Sequence, residues 1–301
     1  MGKLSPEKLG ESSVMLGSLI WSFFPILTIL SYSGLEPVTS LAWTTLISIL
    51  FFFIISLARN SWESIFRKDV LLSVLGVTFI NGILFYALFF IGLKYTTAGN
   101  AAIVATMEIL FSYLFFNVWR KEYIDSKHII GVVLMFLSAV IILSPNISSF
   151  QTGDLLILLA VFIVPLGNLL QKNLRAVVTS DQILFYRTLI ATPFLFLLAY
   201  ILGEQVVIPS GSTWIFLLIN GLVLFGLSKI LWIEGIFRIS VTKAISISGF
   251  SPIFTLIFAF FILKNIPSAV QLIAAPLAMA GIYLLTRKVN IVSQPMIFPL
   301  E

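Results

Sequence analysis

Charged side chains are rare inside the apolar runs of this sequence, and those few are candidates for chemistry. Glu108 stands in IVATMEILFSY at 103–113, and Arg187 and Lys229 stand in two later apolar runs. The chain is 59% hydrophobic and 10% charged, with a mean hydropathy of +1.09, so its solvent is lipid. A charge at mid-bilayer costs at least about 2.5 to 3.5 kcal/mol and persists only where a partner, water or substrate meets it.

The three charged residues differ in predicted depth. Glu108 lies about ten residues from either end of its run, roughly 15 Å deep at about 1.5 Å per residue, so its carboxylate is predicted to bind a cargo ammonium group or a coupling proton. A hydrogen bond between helices is the alternative. Lys229 could serve the site or extend its stem to the interface. Arg187 could clamp a carboxylate, although a structural or interfacial role is at least as well supported.

Several neutral residues complete the predicted substrate site. Amide and aromatic side chains with a polar end need partners in hydrocarbon, and they could line a cavity or join helices. The candidates are Asn81, Asn220, Tyr86 and Trp21. Prolines that interrupt a helix free backbone carbonyls and allow bending during gating. The candidates for this role are Pro25, Pro165 and Pro252.

Composition argues against several other classes. The chain has no cysteine and one histidine, so no disulfide, thiolate nucleophile or metal site is predicted, and no cofactor is expected. His128 stands in a polar patch and is predicted to be exposed or interfacial. The net charge of +5 is accounted for by lysine and arginine in the short loops on the cytoplasmic side of a membrane, so no nucleic-acid partner is expected.

Apolar runs of about twenty residues recur along the chain, and each is long enough to cross a hydrocarbon core of roughly 30 Å as a helix. The predicted spans are 13–33, 37–58, 70–93, 98–118, 127–145, 154–173, 182–203, 213–236, 243–263 and 268–286. The first run is too long for a signal peptide and is predicted to be retained. Residues 289–301 are expected to be disordered, in part a cloning extension, and are given no function.

Lysine and arginine in short loops mark the cytoplasmic side of a membrane. With the N-terminus inside, fourteen of the eighteen basic residues fall in cytoplasmic segments, two outside and two within spans. The two predicted outside are Lys94 and Lys264. Both termini are therefore predicted to be cytoplasmic. The protein itself is predicted to lie in the plasma or inner membrane of the cell.

The two halves of the chain resemble each other. At an offset of 143, Trp43–Ile47 lies over Tyr186–Ile190, and nearby offsets pair Ile80-Asn-Gly with Ile219-Asn-Gly and Pro25 with Pro165. The repeats are predicted at 1–148 and 149–288. Five spans per repeat is odd, so the halves enter the membrane with opposite polarity, which is the inverted repeat of alternating-access transporters.

These patterns resemble the EamA branch of the drug/metabolite transporter superfamily over nearly the whole chain. The resemblance is carried by YTTAGNAA at 95–102, MEILF at 107–111, KE at 121–122, Gly131 and SPIF at 251–254. Three positions depart from the family pattern, namely Ile109, Asn265 and Thr44. The resemblance implies an all-α fold of ten transmembrane helices and a transport function. Family members move amino acids, nucleoside derivatives, sugars and other metabolites, so the cargo stays open.

A secondary carrier with alternating access is the favoured function, since no Walker-type phosphate loop is present. One carboxylate and one or two bases favour an amino acid or another amine-bearing zwitterion, with export coupled to protons through Glu108. The alternative is a facilitator or exchanger of a nucleoside derivative, a sugar or a drug-like solute. An intramembrane enzyme or a scaffold is less favoured. The cavity is expected mainly from helices three, four, eight and nine, with contributions from one, two, six and seven, in a monomer or weak homodimer.

Overall fold

The computed structural model describes residues 5–59, 68–115, 126–143, 152–239, 244 and 247–286. Within these ranges the regular structure is helical. The first half contains α1 (Pro6–Trp21, resuming as Phe24–Ser31), α2 (Pro37–Ala58), α3 (Lys68–Val77, Thr78–Leu84 and Phe85–Lys94), α4 (Ala98–Ala105 and Met107–Tyr113) and α5 (Ser126–Leu143). The second half contains α6 (Thr152–Arg175), α7 (Ser180–Ile201), α8 (Thr213–Leu218, Ile219–Leu227 and Ser228–Arg238), α9 (Ser251–Leu263) and α10 (Ala269–Thr286).

Six helical segments in the described part of the chain are long and apolar enough to cross a membrane. They are Pro6–Ser31, Pro37–Ala58, Val70–Lys94, Thr152–Arg175, Ser180–Ile201 and Thr213–Arg238. Shorter apolar helices cover Lys127–Ile142, Ser251–Leu263 and Ala269–Leu285. An all-helical, multi-pass membrane fold is therefore confirmed. The count of ten spans and the orientation of the termini stay predictions.

The two halves share an unusual local feature. The central parts of α3 (Thr78–Leu84) and α8 (Ile219–Leu227) are π-helical, and each contains the Ile-Asn-Gly sequence that the repeat aligned. A π-helical turn is rare and is found frequently at functional sites. The shared irregularity therefore falls where the sequence predicts equivalent positions.

Helix packing follows the same two-fold pattern. The helix α1 packs against α8, and its counterpart α6 packs against α3. The pairs α2–α7, α4–α9 and α5–α10 each bring a helix against its own counterpart. In the α5–α10 pair, a Cβ added to Gly131 would lie 3.0 Å from the carbonyl oxygen of Gly281, and Ser138 donates to the Ala274 carbonyl at 2.8 Å. Small residues thus allow the backbones to approach closely.

His128 departs from the sequence prediction. Its side chain is only 6% exposed, and its ring lies edge-on to Tyr113 with the centroids 5.4 Å apart. The exposed alternative is wrong, because the edge of α5 that carries His128 faces α4 instead of solvent, whereas a position at the membrane interface stays a prediction. The predicted repeat boundary at 148–149 and the tail 289–301 lie outside the described residues.

Candidate functional site

A central cavity of about 170 Å³ brings most of the predicted site residues together. Its walls come from α1, α3, α4, α6, α7, α8, α9 and the turn before α9. The predicted residues in its lining are Trp21, Pro25, Asn81, Tyr86, Glu108, Arg187, Lys229 and Pro252. The contribution expected from the second helix is wrong, because α2 packs behind α7 and supplies no residue to this lining.

An amide chain holds the carboxylate of Glu108. The Asn168 Nδ2 of α6 donates to Glu108 Oε1 at 2.7 Å, and Asn81 Nδ2 of α3 donates to Asn168 Oδ1 at 3.0 Å. The neighbouring Gly167 makes this possible, since a Cβ there would lie 2.1 Å from Asn81 Oδ1. A series of hydrogen-bonded side chains therefore connects α3 through α6 to α4, namely Asn81, Asn168 and Glu108.

A break in α4 positions Glu108. The Thr106 hydroxyl donates to the Ile103 carbonyl at 2.7 Å, and the Ile109 amide donates to the Thr106 carbonyl at 3.0 Å. The helix consequently ends at Ala105 and restarts at Met107. Glu108 thus lies in the first turn of the second piece. Discontinuous helices that line a cavity are a common way to build binding sites at membrane depth.

Lys229 meets aromatic rings instead of an acid. Its Nζ lies 3.4 Å from the centroid of the Trp21 ring and 5.9 Å from that of Tyr86. The ring of Trp21 is stacked on Phe24, with centroids 4.1 Å apart. The ion pairs found among the described residues do not include Lys229 or Glu108. The ammonium is therefore held by a cation–π contact.

Arg187 lies on a different wall and is 4% exposed. Its Nη1 donates to Gln171 Oε1 of α6 at 3.2 Å, and its Cζ lies 6.0 Å from the centroid of Tyr86. A Cβ added to Gly82 of α3 would lie 3.1 Å from Arg187 Cγ, so the α3–α7 contact is close here. The cavity consequently contains one acid and two bases, each held in part by a neutral side chain.

Two predicted residues lie elsewhere. Asn220 is fully buried between α8 and its neighbours and is absent from the cavity lining, and neither amide atom finds a hydrogen-bond partner among the described residues. Pro165 lies inside the continuous helix α6, near the cavity but not in its lining. The other two prolines occupy first helical turns, Pro25 after the break in α1 and Pro252 at the start of α9. A missing N–H costs least there.

Asn168 and Gln171 are lining residues that sequence reasoning missed. Both lie in the sixth apolar run, and both are amides. The argument used for Asn81, that an amide in hydrocarbon needs a partner, applies equally to them. Their spacing of three places them on one face of α6, which was a readable signal.

A buried carboxylate outside the cavity was also missed. Asp154 at the start of α6 is 2% exposed and accepts hydrogen bonds from Thr96 and from Asn100, the latter at 3.2 Å. Asn100 Oδ1 in turn accepts from Gln271 Nε2 of α10 at 2.7 Å. This network, here called the Asp154 network, joins the first turns of α4, α6 and α10.

Metal chemistry finds no support in this part of the chain. Within the described residues no group of three His, Cys, Asp or Glu side chains could hold a metal ion. The arrangement can instead bind a small solute through one carboxylate, two bases and aromatic faces. A cavity lined by charged, amide and aromatic side chains between membrane helices that repeat in two halves is typical of a multi-pass membrane transporter.

Comparisons with known proteins agree with this class. The family model described as the EamA-like transporter family matches residues 8–144 and 151–287, one match per repeat, and the chain belongs to this family. It is 27% identical over 297 residues to an uncharacterized transporter of Methanothermobacter thermautotrophicus, covering 92% of this chain and 85% of that protein. It is 25% identical to the uncharacterized transporter YyaM of Bacillus subtilis over 257 residues, 82% of this chain and 83% of that one.

A solved crystal structure has the same fold. It matches with a TM-score of 0.71 at 22% sequence identity, covering 93% of this chain and 98% of the other. The predicted family is therefore confirmed, and the protein is a membrane-embedded transporter of a small-molecule substrate and not an enzyme.

Proposed function

We propose that the protein is a secondary carrier that exports amino acids or similar amine-bearing zwitterions across the cell membrane by alternating access. The observation that carries this proposal is the placement of Glu108, Arg187 and Lys229 in one small cavity. Its volume of about 170 Å³ is below the roughly 300 to 1,000 Å³ of pockets for drug-sized ligands, which favours a small solute.

The arrangement of charges suggests how a zwitterion binds. Glu108 accepts one hydrogen bond from Asn168, and its second carboxylate oxygen can accept from a cargo ammonium group. Arg187 and Lys229 carry the opposite charge and line the same cavity, where they can bind the cargo carboxylate. A solute with both groups satisfies the cavity, whereas a dianion leaves the carboxylate of Glu108 facing like charge.

Glu108 is tested by a neutral substitution of nearly the same shape. We expect Glu108→Gln to weaken binding of amino acids by roughly tenfold or more, since a charge-assisted hydrogen bond is worth about 1.5 to 3 kcal/mol. Isothermal titration of purified protein against an amino-acid panel measures this. Glu36→Gln is the matched control, because Glu36 is an exposed carboxylate that pairs with Lys94 far from the cavity. Tightest binding by a dianion, unchanged in Glu108→Gln, would rule the proposal out.

Alternating access rests on ten spans in a 5+5 inverted repeat with both termini in the cytoplasm. The two-fold pattern of helix contacts and the skewed distribution of basic residues support it. The chain has no native cysteine, so single cysteines report orientation directly. Labels at Ser33 and Ser210 should react from outside, and labels at Ser126 and Ser61 from inside, although Ser61 lies outside the described residues. Reversed labelling would contradict the topology.

Proton coupling through Glu108 gives a route to export. The carboxylate would be ionised while it holds the cargo ammonium and protonated in the empty carrier, so cargo leaves as protons enter. In proteoliposomes loaded with cargo, an imposed pH gradient should drive counterflow in the native protein and not in Glu108→Gln, while cargo exchange persists. A facilitator or exchanger is the second candidate, favoured by the neutral hydrogen bond from Asn168 to Glu108. In that case the gradient has no effect on the native protein.

A further inference from the structure

We infer that the ammonium group of Lys229 is a tethered substitute for the ammonium group of the cargo, and that it occupies the cargo's aromatic subsite when the carrier is empty. This inference rests on the proposed function and gives Lys229 a second role besides binding the cargo carboxylate. It extends the ammonium subsite from Glu108 to the faces of Trp21 and Tyr86, and it predicts discrimination between amino acids and simple amines.

The subsite is a cluster of aromatic rings, called here the aromatic box and formed by Trp21, Phe24, Tyr86 and Phe225. Trp21 stacks on Phe24 at 4.1 Å, and Tyr86 lies 4.4 Å from Phe225, centroid to centroid. Phe225 also contacts Trp21 at 6.4 Å. Rings that pack against each other in this way have little freedom to move, so their faces are preorganised for a cation.

Lys229 fills this box although an acid is available in the same cavity. Its Nζ is 3.4 Å from the Trp21 centroid, and its ammonium takes no part in the ion pairs of the described residues. Glu108 is engaged by the neutral Asn168, and Arg187 by the neutral Gln171. An ammonium therefore has a place on the aromatic faces near Glu108, and a protein side chain holds that place.

Displacement of Lys229 has different consequences for two kinds of solute. An amino acid brings an ammonium group that replaces Lys229 in the aromatic box and a carboxylate that receives the displaced lysine. An amine without a carboxylate also displaces Lys229 but brings no carboxylate of its own. The amine and the displaced lysine then share Glu108, the one carboxylate that the described residues bring to the cavity lining, so two buried ammonium groups are left with one acid. The native cavity should consequently prefer an amino acid to the amine of the same side chain.

The experiment compares each amino acid with its decarboxylated amine by titration of purified protein in detergent. The probe pairs are alanine with ethylamine, valine with isobutylamine, leucine with isopentylamine, and phenylalanine with phenethylamine. Lys229→Met removes the tethered ammonium and keeps an unbranched side chain. Arg187→Met is the matched control, since it removes the cavity's other positive charge, whose guanidinium donates to Gln171 and lies 6.0 Å from the Tyr86 centroid, whereas Lys229 lies 3.4 Å from that of Trp21. Melting temperature and gel filtration establish that each variant is folded.

We expect the best-binding amine to bind Lys229→Met at least about tenfold more tightly than the native protein, equal to about 1.4 kcal/mol. The affinity for the amino acid of the same probe pair should rise less, so that the preference for the amino acid over the amine narrows or reverses. Arg187→Met should weaken binding of the amino acid and leave the affinity for the amine within about threefold of the native value, a difference of roughly 0.65 kcal/mol. Trp21→Leu should weaken the amines in both the native and the Lys229→Met background.

The outcomes separate the inference from the proposed function. If both kinds of solute bind in a Glu108-dependent way but Lys229→Met leaves the amine affinity unchanged, the inference fails and the carrier proposal stands. An equal rise of the amine affinity in Lys229→Met and Arg187→Met also overturns the inference, since the effect then comes from the loss of any positive charge in the cavity. If no probe binds folded native protein or folded Lys229→Met, the proposed cargo class fails and the inference fails with it.

Discussion

The close contact between Gly167 and Asn81 predicts a specific steric cost. A Cβ on Gly167 would lie 2.1 Å from Asn81 Oδ1 and 2.5 Å from its Cγ, distances that real Cβ contacts essentially never show. Alanine in a helix is otherwise favoured over glycine by roughly 0.5 to 1 kcal/mol. Overpacking of a well-packed site costs about 1 to 3 kcal/mol, so Gly167→Ala should lower stability despite its better helix propensity.

Gly76→Ala supplies the matched control on the same pair of helices. Its added Cβ would lie 3.1 Å from Cδ1 of Leu170, the far end of a flexible side chain that can move aside. In thermal unfolding in detergent, the melting temperature of Gly76→Ala should therefore be close to or above that of the native protein, and the melting temperature of Gly167→Ala should be lower. Because displacement of Asn81 breaks its hydrogen bond to Asn168, Gly167→Ala should also bind the probe amino acids more weakly.

A double variant tests whether the cost arises at Asn81. Asn81→Ala removes the amide that the new Cβ would meet, so Gly167→Ala should be better tolerated in that background than alone. Residues in contact typically show coupling energies of about 0.5 to 3 kcal/mol in such cycles. Equal melting temperatures for Gly167→Ala and Gly76→Ala, or strict additivity in the double variant, would refute the close approach of α6 to Asn81.

Three further substitutions test contacts outside the cavity. Gly131→Val should lower the melting temperature by forcing α5 from α10, since a Cβ there already lies 3.0 Å from the Gly281 carbonyl; an unchanged melting curve would contradict that crossing. Glu234→Gln should cost about 1 kcal/mol or less and reduce the salt dependence of unfolding, because Glu234 pairs with two arginines near the end of α8. Asp154→Asn should lower the melting temperature by weakening the bonds from Thr96 and Asn100, and protection of the first turn of α4 in hydrogen exchange should fall; unaltered exchange would argue against the network.

The sequence was sufficient for the parts of this protein that depend on solvent and periodicity. Long apolar runs predict helices in lipid, and the aligned Ile-Asn-Gly sequences predict equivalent positions that both prove π-helical. The expectation that Glu108 would meet other polar groups followed from the cost of a charge in hydrocarbon. These predictions rest on properties of single residues or of regular spacing.

Side-chain direction could not be derived in the same way. Asn81 and Asn220 occupy equivalent positions, yet only Asn81 lines the cavity, because the halves carry different neighbours such as Arg187 and Thr44. The contact of Lys229 with Trp21 joins residues 208 positions apart, as the difference of their numbers shows. Such a contact follows from how α1 and α8 pack, which no local pattern specifies.

The unequal charges in the cavity have an electrical consequence. When Glu108, Arg187 and Lys229 are all ionised, the walls carry one net positive charge. If access alternates between the two sides, this charge crosses part of the transmembrane voltage, which is worth about 2.3 kcal/mol per elementary charge per 100 mV. A zwitterion adds no net charge, so in a facilitator or exchanger whose Glu108 stays ionised, voltage acts equally on the loaded and the empty steps and cancels over a complete cycle. In the proton-coupled carrier Glu108 is protonated on the empty step, which then carries two positive charges, so one net charge crosses the membrane in each cycle and export responds to voltage.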